Sequence, residues 1–213
     1  MTKYTLYNRP GSGGFAVEAA LTLADQPFDF IDVGNKPGDE MPDHFRAINP
    51  WGQVPALILP DETLMTETGA ILTYLAGAHP EAGLSPVPWT PAHGTFLRWM
   101  TFLGANIYEA ILHDGYPARF TDDPDGVENV KTAALKRCHE GLGVLEDAIG
   151  ANGWLQDEMS VADLYLAMLF IWCKKREDRP KCEALTHRIA AHPVIAPIWR
   201  RNFDHRPGVK WGR

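Results

Sequence analysis

Asn49-Pro50-Trp51-Gly52-Gln53-Val54-Pro55-Ala56-Leu57, with Glu67 and Thr68 following the hairpin beyond it, couples a turn rich in Pro and Gly to one carboxylate and one hydroxyl. Proline fixes φ and removes a backbone donor, so such a segment displays main-chain groups in a set direction. The chemistry on offer is capture of a peptide, with backbone against backbone at the turn and a polar pair at Glu67 and Thr68. A second window, Leu6-Tyr7-Asn8-Arg9-Pro10-Gly11-Ser12-Gly13-Gly14-Phe15, sets hydroxyls among glycines. It is not a phosphate loop, because the Gly-Lys-Ser/Thr ending is missing, and Pro10 stands where a nucleophile elbow needs Gly. The eight His residues include no His-x-x-x-His pair, so no metal site is expected.

Periodicity supplies the elements that must position these groups. Tyr4 and Leu6 alternate with Thr5 and Tyr7 as in a strand, which Pro10 to Gly14 break; Phe15, Ala19 and Leu23 then recur at helical spacing. A second strand is expected from Phe28 to Val33, and a short helix around Phe45 to Ile48, closed by Asn49-Pro50. Two apolar runs, Ala56 to Leu59 and Thr63 to Met65, are split by Pro60 and Asp61 and predict a hairpin. A helix from about Thr68 to Gly77 completes an α/β unit over residues 1–78.

From His79 to Pro91 the chain carries Pro80, Pro86, Pro88 and Pro91, which marks a linker over 79–91. Beyond it the apolar residues fall into helical stripes: Phe96, Trp99, Met100, Leu103 and Ile107; Leu135, Leu142, Leu145 and Ile149; Leu164, Met168, Ile171 and Trp172. Residues 92–213 are therefore expected to form an all-helical domain. Ser160-Val161-Ala162-Asp163 matches a reciprocal helix cap directly before the third stripe.

Twenty basic against 27 acidic residues give a net charge of -7, which disfavours nucleic acid or an anionic membrane as partner. The locally basic run Arg200, Arg201, Arg206, Lys210 and Arg213 reads as a solvated tail. No stretch approaches the ~20 apolar residues of a membrane span, and Met1-Thr2-Lys3 opens no signal-peptide pattern. A cytoplasmic protein is expected. Cys138, Cys173 and Cys182 are odd in number and contain no Cys-x-x-Cys pair, so reduced, buried thiols are expected.

Three features together resemble the cytosolic glutathione transferases of bacterial type over nearly the whole chain: the Asn49 to Leu57 segment; Glu67-Thr68-Gly69-Ala70-Ile71 with Tyr74-Leu75; and the cap from Ser160 to Asp163. The resemblance implies an α/β thioredoxin-like N-terminal domain with a mixed four-stranded sheet, joined to an all-α C-terminal domain. It also implies that Pro55 is cis and that Val54 pairs with the ligand's cysteinyl backbone, with Gln53 beside it. Glu67 would take the ammonium of the γ-glutamyl end, and Thr68 with nearby helix amides its carboxylate.

In this family a Tyr, Ser or Cys just after the first strand stabilises the glutathione thiolate. Gly13 stands where the Cys-type pattern has its cysteine, so the resemblance is to a Ser-type enzyme, with Ser12 as donor and Tyr7 as the rival. Ser12 also reads as a turn or N-cap serine and Tyr7 as a core aromatic; Asn8 and Arg9 stand further back. The implied reaction attacks a small hydrophobic electrophile, with Trp99, Phe102, Asn106 and Tyr108 as its candidate contacts. Glutathione is co-substrate and no other cofactor is implied. Trp51, in an exposed turn, suggests a homodimer. The alternatives are a glutathione-dependent isomerase, lyase or peroxidase, or a non-catalytic ligand carrier.

Overall fold

The computed structural model describes residues 3–34, 40–174, 176 and 178–204. It divides into one compact unit of Met1–Ser85 with Ala190–Arg213 and another of Pro86–Ile189. The first unit runs β1 (Tyr4–Asn8), α1 (Gly14–Leu23), β2 (Phe28–Asp32), α2 (Asp43–Arg46), β3 (Ala56–Ile58), β4 (Leu64–Met65) and α3 (Thr68–Ala78). Its four-stranded sheet has the order β2-β1-β3-β4. β1 is parallel to β2, and the other two pairings are antiparallel. A parallel pair needs a crossover, which α1 provides. This is a thioredoxin-like α/β domain with a mixed sheet, as the resemblance implied.

Alternation along β1 sorts its side chains between the two faces of the sheet. Tyr4, Leu6 and Asn8 are buried on one face, while Thr5 and Tyr7 are half-buried on the other. Every residue of α1 from Gly14 to Leu21 is buried, so neighbours surround that stretch of helix.

The second unit contains α4 (Pro91–Phe102), a π-helical stretch (Leu103–Tyr108), α5 (Glu109–Gly115), α6 (Val127–Ala148), α7 (Val161–Trp172) and most of α8 (Pro180–Ala191). All five residues of the first apolar stripe are buried. In the second stripe Leu135 is only half-buried, and Ala134 and Cys138 take the inward positions instead. α7 is buried from Val161 to Ile171. No helix among the described residues is long and apolar enough to cross a membrane.

The last helix, α9 (Ala196–Phe203), belongs to the first unit, whereas the sequence reading placed these residues within the helical domain of 92–213. Aromatic packing is the reason: Phe15 of α1 meets Trp199 and Phe203 edge-on at ring-centre distances of 5.3 and 4.7 Å. Arg201 is likewise no free tail residue, since it pairs with Glu18 of α1. Arg206, Lys210 and Arg213 lie outside the described residues.

The expectation of reduced thiols is corrected in part. Cys138 on α6 and Cys173 just beyond α7 form a disulfide, with Cα atoms 6.7 Å apart. Their separation of 35 residues carries no local signature, and helix packing brings them together. Cys182 remains a free, buried thiol. Burial, reinforced by the Glu146 carboxylate, pushes its ionisation far above the ordinary range and leaves it inert.

Candidate functional site

Ser12 lies just before Gly13, the N-cap of α1, and is 8% exposed. Its Oγ is 2.5 Å from Asn8 Oδ1 and 2.8 Å from the Arg9 carbonyl oxygen. A hydroxyl carries one proton, so these two acceptors compete for it. Asn8 closes β1 at 0% exposure, and its Nδ2 has no hydrogen-bond partner among the described residues. The room for its amide comes from Gly14, where any Cβ would collide with the end of the Asn8 side chain. Gly11 takes φ 77°, a conformation suited to glycine. Its N–H donates to Asn202 Oδ1 of α9 at 2.8 Å, so α9 ties down the turn that carries Ser12.

Tyr7 points to the opposite face of the sheet. It packs on the cluster of Val33, Phe45 and Ala56, with its ring centre 6.1 Å from that of Phe45. The sheet therefore separates Tyr7 from the Asn8–Ser12 pair, although Tyr7 and Asn8 are neighbours in the chain.

Deeper along α1, burial pushes the Glu18 carboxyl above its ordinary 4.5, with Arg201 and Asn202 pulling back. The folded protein holds this proton more tightly than the unfolded chain. The Glu18 contribution to stability is therefore fully present below the unfolded value and declines as pH rises through the folded one. Glu18→Gln is expected to remove that decline. Parallel urea titrations of wild type and variant across the acid-to-neutral range check it; identical pH slopes would reject it.

The start of α3 adjoins the start of α1. Thr68 is buried and its Oγ1 donates to the Gly13 carbonyl at 3.5 Å, the long limit of a hydrogen bond. Glu67, the N-cap residue of α3, is exposed and has φ 64°, ψ 109°. A non-glycine residue with positive φ is uncommon, and such conformations cluster at ligand-holding sites. Both helix starts present positive dipole ends, which suit anionic groups.

Val54 precedes β3, beyond the last register pair Tyr7–Ala56, and the Val54-Pro55 bond is cis. Pro55 is buried and Gln53 exposed. Asn49 builds this turn: its Nδ2 donates to the Gln53 carbonyl at 2.7 Å, and its Oδ1 accepts from the Trp51 amide at 3.2 Å. Trp51 itself is 74% exposed.

The four candidates for the electrophile all lie in the second unit. Trp99 is buried, with the Arg98 guanidinium 4.0 Å from its ring centre and Phe102 edge-on at 5.8 Å. Asn106 Oδ1 accepts from Arg137 at 2.5 Å. Tyr108 meets Tyr165 and Trp172, at ring-centre distances of 6.1 and 5.6 Å. Asn106 and Tyr108 share the π-helical stretch, a local form often found at functional sites.

Sequence reasoning missed Asn202 and the Glu18–Arg201 pair, and gave Asn49 no role of its own. Asn202 lies 191 residues from Gly11, so no local pattern announces it. Asn49 had a signal in its place before Pro50, where Asn side chains commonly bond to following backbone. Among the described residues, no cluster of His, Cys, Asp and Glu could hold a metal ion.

A thioredoxin-like domain with two adjoining helix starts and a cis-Pro before its third strand, together with a helical unit, defines the class of protein. Residues 6–83 match the family model for the glutathione S-transferase N-terminal domain. Glutathione S-transferase GstA of Escherichia coli O157:H7 is 31% identical, over 89% of this chain and 94% of that protein. Maleylacetoacetate isomerase of Pseudomonas aeruginosa is 26% identical, over 98% and 100%. Among solved structures, a glutathione transferase homolog from Sulfitobacter with bound glutathione superposes with a TM-score of 0.83 at 28% identity, covering 93% of this chain and 97% of that one. The chain belongs to the glutathione S-transferase family.

Proposed function

We propose that this protein binds glutathione in its first unit, activates the thiol as a thiolate through Ser12, and transfers it to a small hydrophobic electrophile. The observation that carries the reading is the adjacency of the α1 and α3 starts, joined by the contact of Thr68 with Gly13. One positive helix end suits the thiolate and the other the γ-glutamyl carboxylate, with Glu67 available for the ammonium. Val54 reads the cysteinyl main chain as an added strand, and Gln53 lies next to it. No metal or organic cofactor takes part in this scheme, because thiolate formation and proximity suffice for substitution. Ser12 rather than Cys fits a chain whose cysteines all lie in the second unit. A cytoplasmic location, a homodimer involving Trp51, and contacts of Trp99, Phe102, Asn106 and Tyr108 with the electrophile belong to the same proposal.

Retention on glutathione resin together with turnover of an activated chloroarene tests it; retention without turnover indicates a carrier, and no retention removes both readings. A glutathione-dependent isomerase is the second reading, favoured by the full-length likeness to the Pseudomonas isomerase. Glu67→Gln removes the charge from one hydrogen bond, so the Kd for glutathione is expected to rise about tenfold or more. The thiol pKa of the complex should stay put. Calorimetric titration measures the first effect and thiolate absorbance the second; unchanged affinity would remove Glu67 from the site.

A further inference from the structure

The hydrogen bonds of Ser12 and Asn8 run against the proposed chemistry. The Ser12 hydroxyl donates inward, to Asn8 Oδ1 or the Arg9 carbonyl, while a thiolate needs that same proton. Meanwhile Asn8 Nδ2 is buried without a partner among the described residues, which costs the group its hydration for no return. The two anomalies share one resolution. We propose that Asn8 is a positioning residue for thiol activation: by turning its amide over, it changes from acceptor to donor toward Ser12 Oγ and frees the Ser12 hydroxyl to donate a hydrogen bond to the glutathione sulfur. This role of Asn8 rests on the reading of Ser12 as the thiolate's donor.

The two ends of an asparagine amide are nearly equal in shape, so rotation needs little extra space. Both lie against Gly14, whose missing Cβ leaves room for either. After rotation Nδ2 donates to Ser12 Oγ, and Ser12 donates to the anionic sulfur in preference to the neutral Arg9 carbonyl, since a charged acceptor makes the stronger hydrogen bond, so that each bond polarises the next. The amide oxygen then takes the place of Nδ2 beside the first residue of α1. There Gly13 offers no side-chain cap, and the helix dipole favours an oxygen over an NH2 group. Ser12 keeps its proton throughout; when the thiol S–H bond breaks, the electron pair stays on sulfur and the proton passes to water. Only a side chain able both to accept and to donate serves here, and an ionised aspartate can only accept.

Asn8→Asp in the full chain tests the proposal against Ser12→Ala and the double variant. The expected result for Asn8→Asp is a rise of about one unit in the bound thiol pKa and an approximately tenfold fall in kcat/KM at neutral pH, with KM for glutathione little changed. Because Asn8 acts through Ser12, the double variant should match Ser12→Ala alone. Full additivity would assign the effect to the new charge acting directly on sulfur, and overturn the proposal. If Ser12→Ala shifts the thiol pKa and Asn8→Asp does not, the Asn8 role fails and the Ser12 reading survives. No shift with Ser12→Ala ends both. Should the buried carboxylate prevent folding, the wild-type protein gives the answer by NMR. The Asn8 side-chain amide resonances should move on adding glutathione and stay in place with S-methylglutathione; no movement with glutathione overturns the proposal.

Discussion

Ser12→Ala is expected to raise the pKa of bound glutathione by about one to two units, since one hydrogen bond to a charged acceptor contributes about 1.5 to 3 kcal/mol. The thiol's ordinary value near 8.5 leaves only a few per cent thiolate at neutral pH, so turnover should fall about 10- to 100-fold there. The deficit in thiolate should close as pH rises past the new pKa, because every thiol is then ionised. Glutathione affinity should change little, since the turn before β3 and the start of α3 remain intact. Tyr7→Phe is the matched control. Tyr7 packs against Phe45, on the face of β1 opposite Asn8, so losing its hydroxyl should leave thiol pKa and turnover nearly unchanged. Thiolate absorbance across a pH titration, paired with steady-state rates, decides between the two. An unchanged Ser12→Ala with an inactive Tyr7→Phe would reverse the assignment.

This contrast between Ser12 and Tyr7 marks where sequence stops being informative. Alternation along β1 and helical spacing along α1 are local signals, and the observed β1, α1 and Ala56 to Met65 hairpin follow them. The Asn49 to Leu57 segment is legible for the same reason, because Asn49 bonds within four residues of itself. What sequence could not supply is which of the two candidate hydroxyls lies on the α1 side of the sheet. That depends on the Asn8–Ser12 contact and on Asn202, which reaches the Gly11 amide from the far end of the chain. The boundary at 92–213 was equally blind to destination: α9 falls inside the expected helical domain, with Arg200 and Arg201 read as a solvated tail, until Trp199 and Phe203 meet Phe15. Leu135 has the right spacing for its stripe and still lies half-exposed, since α6 turns Ala134 and Cys138 inward.

Asp163→Ala is expected to cause the largest loss of stability. Asp163 is 0% exposed, and three donors converge on it: the Leu155 amide at 3.0 Å, the Ser160 amide at 2.8 Å and the Ser160 hydroxyl at 3.0 Å. Ser160 Oγ in turn accepts from the Ala162 amide at 3.2 Å, completing the cap of α7 foreseen from the sequence. Burial pushes the Asp163 carboxyl above its ordinary value despite these hydrogen bonds, so its charge is a cost and its acceptor atoms are what stabilise. Truncation leaves two buried backbone amides unpaired at about 1 to 3 kcal/mol each, for a loss on the order of 4 kcal/mol. For a chain of this size that lowers Tm by about 10 °C. Asp163→Asn keeps one acceptor and removes the charge, so it should fall between wild type and Asp163→Ala. Calorimetric unfolding of the three proteins measures the order. A variant Asp163→Asn as damaging as Asp163→Ala would show that a single acceptor does not hold the loop before α7 to the helix and that both carboxylate oxygens are needed.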